Sequence, residues 1–120
     1  MISVEEFGQQ AAEWLAANKH LAPRDYGAIC PPDLVDHGLR WHRQLNDVGF
    51  TGIHWPTEYG GQGLTPAHNA AWQYECALAG VPAAFNMVGL VLTGGALLKF
   101  GTDEQKANHL AATLRTDHVW

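Results

Sequence analysis

Seven histidines and two cysteines in 120 residues raise the question of a metal centre. His68 and Cys76 fall on one face of a predicted helix, but eight helical residues separate them by about 12 Å along the axis. Zinc needs its ligand atoms within about 2.3 Å of one ion, so these two side chains cannot share one. Neither an HxxxH nor an HExxH spacing occurs. No metal site is expected. Gly61-Gln62-Gly63 ahead of a helix start has the look of a phosphate loop. However, Pro66 stands where a dinucleotide fingerprint needs its third glycine, no apolar strand run precedes it, and no GK[ST] follows. The glycines read as a tight turn. Glu58 and Glu75 could act as bases, yet neither has a sequence neighbour that would tune its pKa. The serines and cysteines lack any nucleophile context. By themselves these residues specify no reaction and no catalytic or cofactor-binding group.

The elements that would position them are helical. Ser3 and Glu6 have capping-box spacing, and Val4, Phe7, Ala11, Trp14 and Leu15 recur at three- and four-residue intervals, predicting a first helix over about 4–18. Pro23, Gly27, Pro31 and Pro32 make residues 19–32 a connection. Asp33 reads as the N-cap of a second helix carrying Leu34, Gly38, Trp41, Leu45 and Val48 on one face, with Gly49 at a left-handed C′ position and Phe50 supplying the accompanying apolar contact. Residues 50–64 hold four glycines, one proline and three aromatics. They cannot propagate a helix and are too apolar for a loose linker, so an ordered, packed loop is expected. Thr65-Pro66 starts a third helix that ends near Gly80. A fourth covers about Ala84 to Phe100, closed by Gly101. Thr102 and Gln105 form a second capping box, with Asp103 and Glu104 in the first turn where the helix dipole favours acids, and Ala107, Leu110, Ala111 and Leu114 form the apolar face of a fifth helix. His118-Val119-Trp120 reads as the first residues of a strand.

The expectation is an all-α, five-helix bundle: a helical domain over 1–114, with 115–120 beginning a further, β domain. A composition of 47% hydrophobic and 16% charged residues is that of a folded domain. The seven Lys and Arg are scattered and the net charge is −5, which leaves no basic stripe for nucleic acid and no patch for anionic membranes. Cys30 and Cys76 lack CxxC spacing; a single disulfide is arithmetically possible, but two reduced thiols in a cytoplasmic protein are the expected state. The N-terminus is acidic where a signal peptide is basic and then apolar. The apolar run from Ala83 to Leu98 would span roughly 24 Å as a helix, short of the ~20 apolar residues that a membrane crossing needs.

That fourth helix is unusual. Between Ala83 and Phe100 only Asn86, Thr93 and Lys99 are polar. A helix apolar on all sides needs neighbours on all sides, and four other short helices cover about half of it. Gly89, Gly94 and Gly95 each cost about 1 kcal/mol relative to Ala in a helix interior, and such residues mark places where something approaches the backbone. A tightly packed helix pair would account for them. So would a face that meets another domain, a subunit or an apolar ligand.

Two segments resemble a known family. Gly49-Phe50-Thr51-Gly52 with Trp55-Pro56-Thr57-Glu58-Tyr59-Gly60-Gly61-Gln62-Gly63 resembles the loop after the second helix of acyl-CoA dehydrogenases, and Phe100-Gly101-Thr102-Asp103-Glu104-Gln105-Lys106 resembles the turn that opens their fifth helix. The resemblance covers about residues 3–120. It implies an N-terminal helical domain joined to a middle β domain and a C-terminal bundle, with FAD at the junction, and removal of hydrogens from Cα and Cβ of an acyl-CoA: a carboxylate takes the proton, flavin N5 the hydride. The flavin-contacting segment is expected shortly after Trp120 and the base later still, so the stretch is expected to be inactive alone. It further implies that Val88, Gly89, Leu92 and Thr93 wall the acyl pocket, that the small residues there leave room for a branched or ring-bearing acyl group, and that the intact protein is a homo- or heterotetramer. Gly94-Gly95 and Tyr74-Glu75 depart from the family pattern. The alternative is a non-catalytic helical interaction module, or one subunit of a heteromeric dehydrogenase completed by a partner.

Overall fold

Local capping chemistry sets where the helices begin. In the computed structural model, which describes residues 1–24 and 30–120, Ser3 Oγ accepts the Glu6 N–H at 3.1 Å and opens helix α1, Val4–Asn18. Only this half of the expected box forms among the described residues. Thr65 opens α3, Pro66–Ala79, with an unforeseen partner: His68 takes the position usually held by Glu or Gln, its Nδ1 accepting the Thr65 N–H at 3.2 Å. Thr102 and Gln105 make the predicted reciprocal pair at the start of α5, Asp103–Leu114. Helix α2 is Val35–Asp47. It begins two residues after the expected Asp33 cap, because Pro31 and Pro32 set up a short 3₁₀ turn over Pro32–Leu34 in which Asp33 makes no capping bond. Its end is as expected: Gly49 is left-handed (φ 85°), and the Gly49 and Phe50 N–H groups donate to the Asn46 and Leu45 carbonyls.

The fourth helical stretch departs most from the sequence pattern. It is not helical from Ala84. A π-helical segment, Val88–Thr93, runs directly into α4, Gly94–Phe100. The preceding residues are held irregular by three ring systems from α2 and α3. Trp41 Nε1–H donates to the Pro82 carbonyl at 2.8 Å and Trp72 Nε1–H to that of Ala83 at 3.2 Å, while His42 Nδ1 accepts the N–H groups of Phe85 and Asn86 at 3.0 and 3.3 Å. Backbone groups tied to side chains in this way cannot join a helical ladder.

The core lies between α1, α2 and α3, where Phe7, Ala11, Leu15, Trp41, Leu45, Trp72 and Cys76 are buried around Phe50 and Ile53. A smaller cluster joins Trp55 to Leu110 and Leu114 of α5, with Leu90, Leu97 and Leu98 against it. The 50–64 loop is the ordered element expected of it: Gly63 N–H donates to the Trp55 carbonyl at 2.8 Å and Leu64 N–H to that of Ile53 at 3.0 Å. A Cβ on Gly61 would stand 2.3 Å from the Trp55 carbonyl oxygen, so only glycine fits that turn. Residues 115–120 form no strand; they turn back on α5, and Asn86 clamps them, its Nδ2 donating to the His118 carbonyl at 2.9 Å and its Oδ1 accepting the Trp120 N–H at 3.2 Å. Among the described residues no strand occurs, and no helix is long and apolar enough to cross a membrane.

Candidate functional site

The chemistry-bearing residues singled out in the sequence are occupied with structure. His68 uses both ring nitrogens: Nδ1 caps α3, which places the proton on Nε2 for donation to the Ile2 carbonyl at 2.8 Å. Cys76 is buried, and burial, with a smaller contribution from Glu75, pushes its thiol up to about 12, so it carries no thiolate at neutral pH. Cys30 and Cys76 are free thiols. No group of three or more His, Cys, Asp or Glu side chains converges among the described residues. The glycine turn offers no phosphate cradle either. The N–H groups of Gly61, Gln62 and Gly63 are all donated internally, to Pro56, Gly52 and Trp55.

What is left unpaired is an apolar surface. From Met87 to Phe100 the chain is helical without a break, and Val88, Val91 and Leu92 keep 48%, 57% and 66% exposure, with Phe100 at 79%. A helix apolar all round needs cover on all sides; here the buried side is covered by Trp55 and α5, and the other side is bare. Of the residues expected to wall a pocket, Val88 and Leu92 lie on this bare side and Thr93 is half-buried at its edge. Gly89 faces inward, where a Cβ would come within 2.7 Å of the Asn86 amide. The structure thus brings Val88 and Leu92 together, one helical turn apart, and turns Gly89 away from them.

Beside the bare face a cavity of about 270 Å³ opens between this helix, α3 and the start of the 50–64 loop. Phe50, Trp72, Ala84, Leu90 and Leu98 supply apolar lining, and His54, Asn69 and Gln73 supply polar groups. Met87, Val91 and Gly95 also line it; being exposed, they join it to the surface that carries Val88 and Leu92. Partial burial lowers the pKa of His54, which keeps its ring neutral at neutral pH. Sequence reasoning did not single out His54, nor the residue that holds the helix start. His42 is wholly buried, and burial, reinforced by Arg43 and partly opposed by the bond to Leu114, brings its pKa down to about 4. The signal for His42 was present: it falls four residues after Gly38 and three before Leu45, on the apolar stripe of α2.

Comparison with known proteins rests on the same elements. The profile of the acyl-CoA dehydrogenase N-terminal domain matches residues 4–117. The chain belongs to the acyl-CoA dehydrogenase family. It is similar to the acyl-CoA dehydrogenase IpdE1 of Mycolicibacterium smegmatis, 32% identical over 127 residues, and to IpdE1 of Mycobacterium tuberculosis, 33% identical over 124. Each match takes in the whole of this chain and 32% of the relative, so the chain spans about a third of the length of these curated dehydrogenases. Among solved structures, the Tcur3481-Tcur3483 steroid ACAD superposes with a TM-score of 0.73 at 29% identity, over 98% of this chain and 32% of that one. The ChsE4-ChsE5 complex from Mycobacterium tuberculosis gives 0.70 at 24% identity, over 98% and 30%, a likeness of fold. The chain therefore has the all-α fold of the acyl-CoA dehydrogenase N-terminal domain.

Proposed function

We propose that this domain is the N-terminal part of an FAD-dependent acyl-CoA dehydrogenase that catalyses α,β-dehydrogenation of an acyl-CoA thioester, with residues 1–114 as the helical domain and 115–120 leading into the next. Its own contribution is to wall the acyl pocket through Val88, Gly89, Leu92 and Thr93, Gly89 acting through the helix backbone. The observation that carries this reading is the bare apolar strip along Val88, Val91 and Leu92, on the side of the helix away from Trp55 and α5. A strip of this kind marks a surface that other protein or an apolar ligand completes. The Gly61-Gln62-Gly63 turn spends its N–H groups within the loop, which supports a reading in which FAD is held by other parts of the assembled enzyme.

A specific observation favours a two-protein assembly. Both the steroid ACAD and the ChsE4-ChsE5 complex are named for two proteins, and in this reading the bare strip is covered by remaining domains or by a partner subunit in a cytoplasmic homo- or heterotetramer. The test is to purify the protein carrying this domain, with any partner that accompanies it, and to follow reduction of an artificial electron acceptor on adding acyl-CoA thioesters. Acyl-CoA-dependent reduction with bound flavin is the expected result. A flavin-free protein that oxidises none of a panel of linear, branched and ring-bearing thioesters would replace the enzyme with a helical interaction module.

A further inference from the structure

A second uncovered face runs along α3, away from the side that lines the cavity. There Ala70, Tyr74 and Leu78 follow at four-residue intervals and share one line along the helix. Ala70 is exposed, and Tyr74 and Leu78 keep 63% and 66% exposure, as much as Leu92. Every exposed residue of α3 is uncharged, and Glu75, its one acidic residue, is half-buried. Helix α1 lies beside this line and runs in the same direction. His68 bonds Ile2, a Cβ on Gly8 would stand 3.8 Å from that of Ala71, and Ala12, Ala16 and Lys19 share a groove with Leu78. Glu5, Ala12 and Lys19 recur every seven residues, so they lie on one face of α1. Neither charge has an ionic partner, because the only ion pair among the described residues joins Arg115 to Asp117.

We propose that this two-helix face binds a second copy of the chain, antiparallel, about a twofold axis through Tyr74. Such an axis makes each residue meet the residue equally far along on its other side. Ala70 and Leu78 stand four positions before and after Tyr74, so the large leucine of one copy meets the small alanine of the other, twice. The two tyrosine rings meet at the centre, where interface anchors concentrate. The charges obey the same symmetry. Gly8 is level with Ala71, so along α1 Glu5 lies six positions before the level of Tyr74 and Lys19 eight after it. The rotation therefore brings Lys19 of one copy to within two positions of Glu5 of the other, about 3 Å at 1.5 Å per residue. A lysine side chain spans that. Parallel pairing would instead set Leu78 on Leu78 and Glu5 on Glu5. The uncharged centre lets two chains of net charge −5 approach. A face two helices wide and roughly 20 Å long is at the low end of interface sizes, so the pairing is weak and concentration-dependent.

The experiment uses the whole protein that carries this domain, in a Cys30→Ser background, with Tyr74→Cys added. Gln10→Cys, equally exposed but on the opposite side of α1 from Ala12, is the control. Under mild oxidation Tyr74→Cys is expected to form a disulfide-linked dimer at least about tenfold faster than Gln10→Cys, because a residue on the axis is held against its own copy. Adding Lys19→Glu is expected to slow that linkage about threefold, the size of a surface ion pair, and adding Glu5→Lys as well is expected to restore it. Equal linkage of Tyr74→Cys and Gln10→Cys overturns the proposal, and a charge swap that restores nothing overturns its antiparallel register. A Tyr74→Cys thiol that neither links nor reacts with a maleimide shows the face covered by other protein, which also overturns it. The outcome is separate from that of the proposed function. An enzyme active on acyl-CoA thioesters whose Tyr74→Cys stays unlinked sinks this inference alone, while a linked dimer in an inactive, flavin-free protein upholds it and sinks the enzyme reading.

Discussion

His42 Nε2–H donates to the Leu114 carbonyl at 2.9 Å across 72 positions of chain. The same ring accepts at Nδ1 from Phe85 and Asn86, so one neutral imidazole ties the middle of α2 to the end of α5 and to the start of the fourth helical stretch. Protonation puts a hydrogen on Nδ1 and replaces an acceptor with a donor facing two other donors.

Acid should therefore unfold this domain earlier than its carboxylates alone would. The folded pKa of His42 is about 4 against 6.5 for the free side chain. The depressed value means that stability is present in full above the unfolded pKa and is lost as pH falls from about 6.5 through about 4. The size follows from the shift at 1.36 kcal/mol per unit, roughly 3 kcal/mol. Urea unfolding at a series of pH values should show this slope, and His42→Gln should flatten it while lowering stability at neutral pH. A slope unchanged in His42→Gln would mean that other groups carry the acid sensitivity.

The two adjacent glycines predict opposite signs. Gly94→Ala drives a methyl into the Trp55 ring, an overpacking that costs about 1–3 kcal/mol and outweighs the helix-propensity gain. Gly95→Ala meets open space and should gain up to about 1 kcal/mol. Thermal melts of the two single variants check this directly; equal shifts in the same direction would contradict the described packing.

How much of this was legible beforehand depended on how far the deciding contact lay along the chain. The starts of α1, α3 and α5 are written within four residues, in Ser3, Thr65-Pro66 and Thr102 with Gln105, and so could be read. The start of the fourth helical stretch is decided by His42, more than 40 positions away; periodicity puts His42 on the buried stripe of α2 but carries no trace of its bonds to Phe85 and Asn86. Gly94 and Gly95 are the same letter twice; only the position of Trp55, brought in by the 50–64 loop, separates a packing glycine from an open one. The apolar excess of the helix was legible as composition. Which side of it stayed bare was not, because that depends on where α5 and Trp55 dock.

Asn86 should govern the order of the last residues. Its amide bonds the His118 carbonyl and the Trp120 N–H from a buried position. Asn86→Ala leaves these groups without a partner, a loss of about 1–3 kcal/mol. Hydrogen exchange at the Trp120 amide should rise in Asn86→Ala well before exchange at core amides of α1 or α3. Uniform change across the domain would place Asn86 in the global core rather than in a local clamp.

The bare strip makes a prediction that separates folding from assembly. Leu92 is 66% exposed and Val88 48%, so replacing them with Asp removes little buried area and should shift the stability of this domain by no more than about 0.5 kcal/mol each, the range of ordinary surface substitutions. In the assembled protein the same carboxylate would face the apolar acyl pocket and the protein that closes over it, and burying an unpaired charge costs several kcal/mol. Val88→Asp and Leu92→Asp should therefore leave the helical content and unfolding of the domain near wild type while the assembly dissociates in sedimentation velocity or loses its flavin. An assembly that tolerates both substitutions would mean that this face of the helix looks onto solvent in the working protein as well.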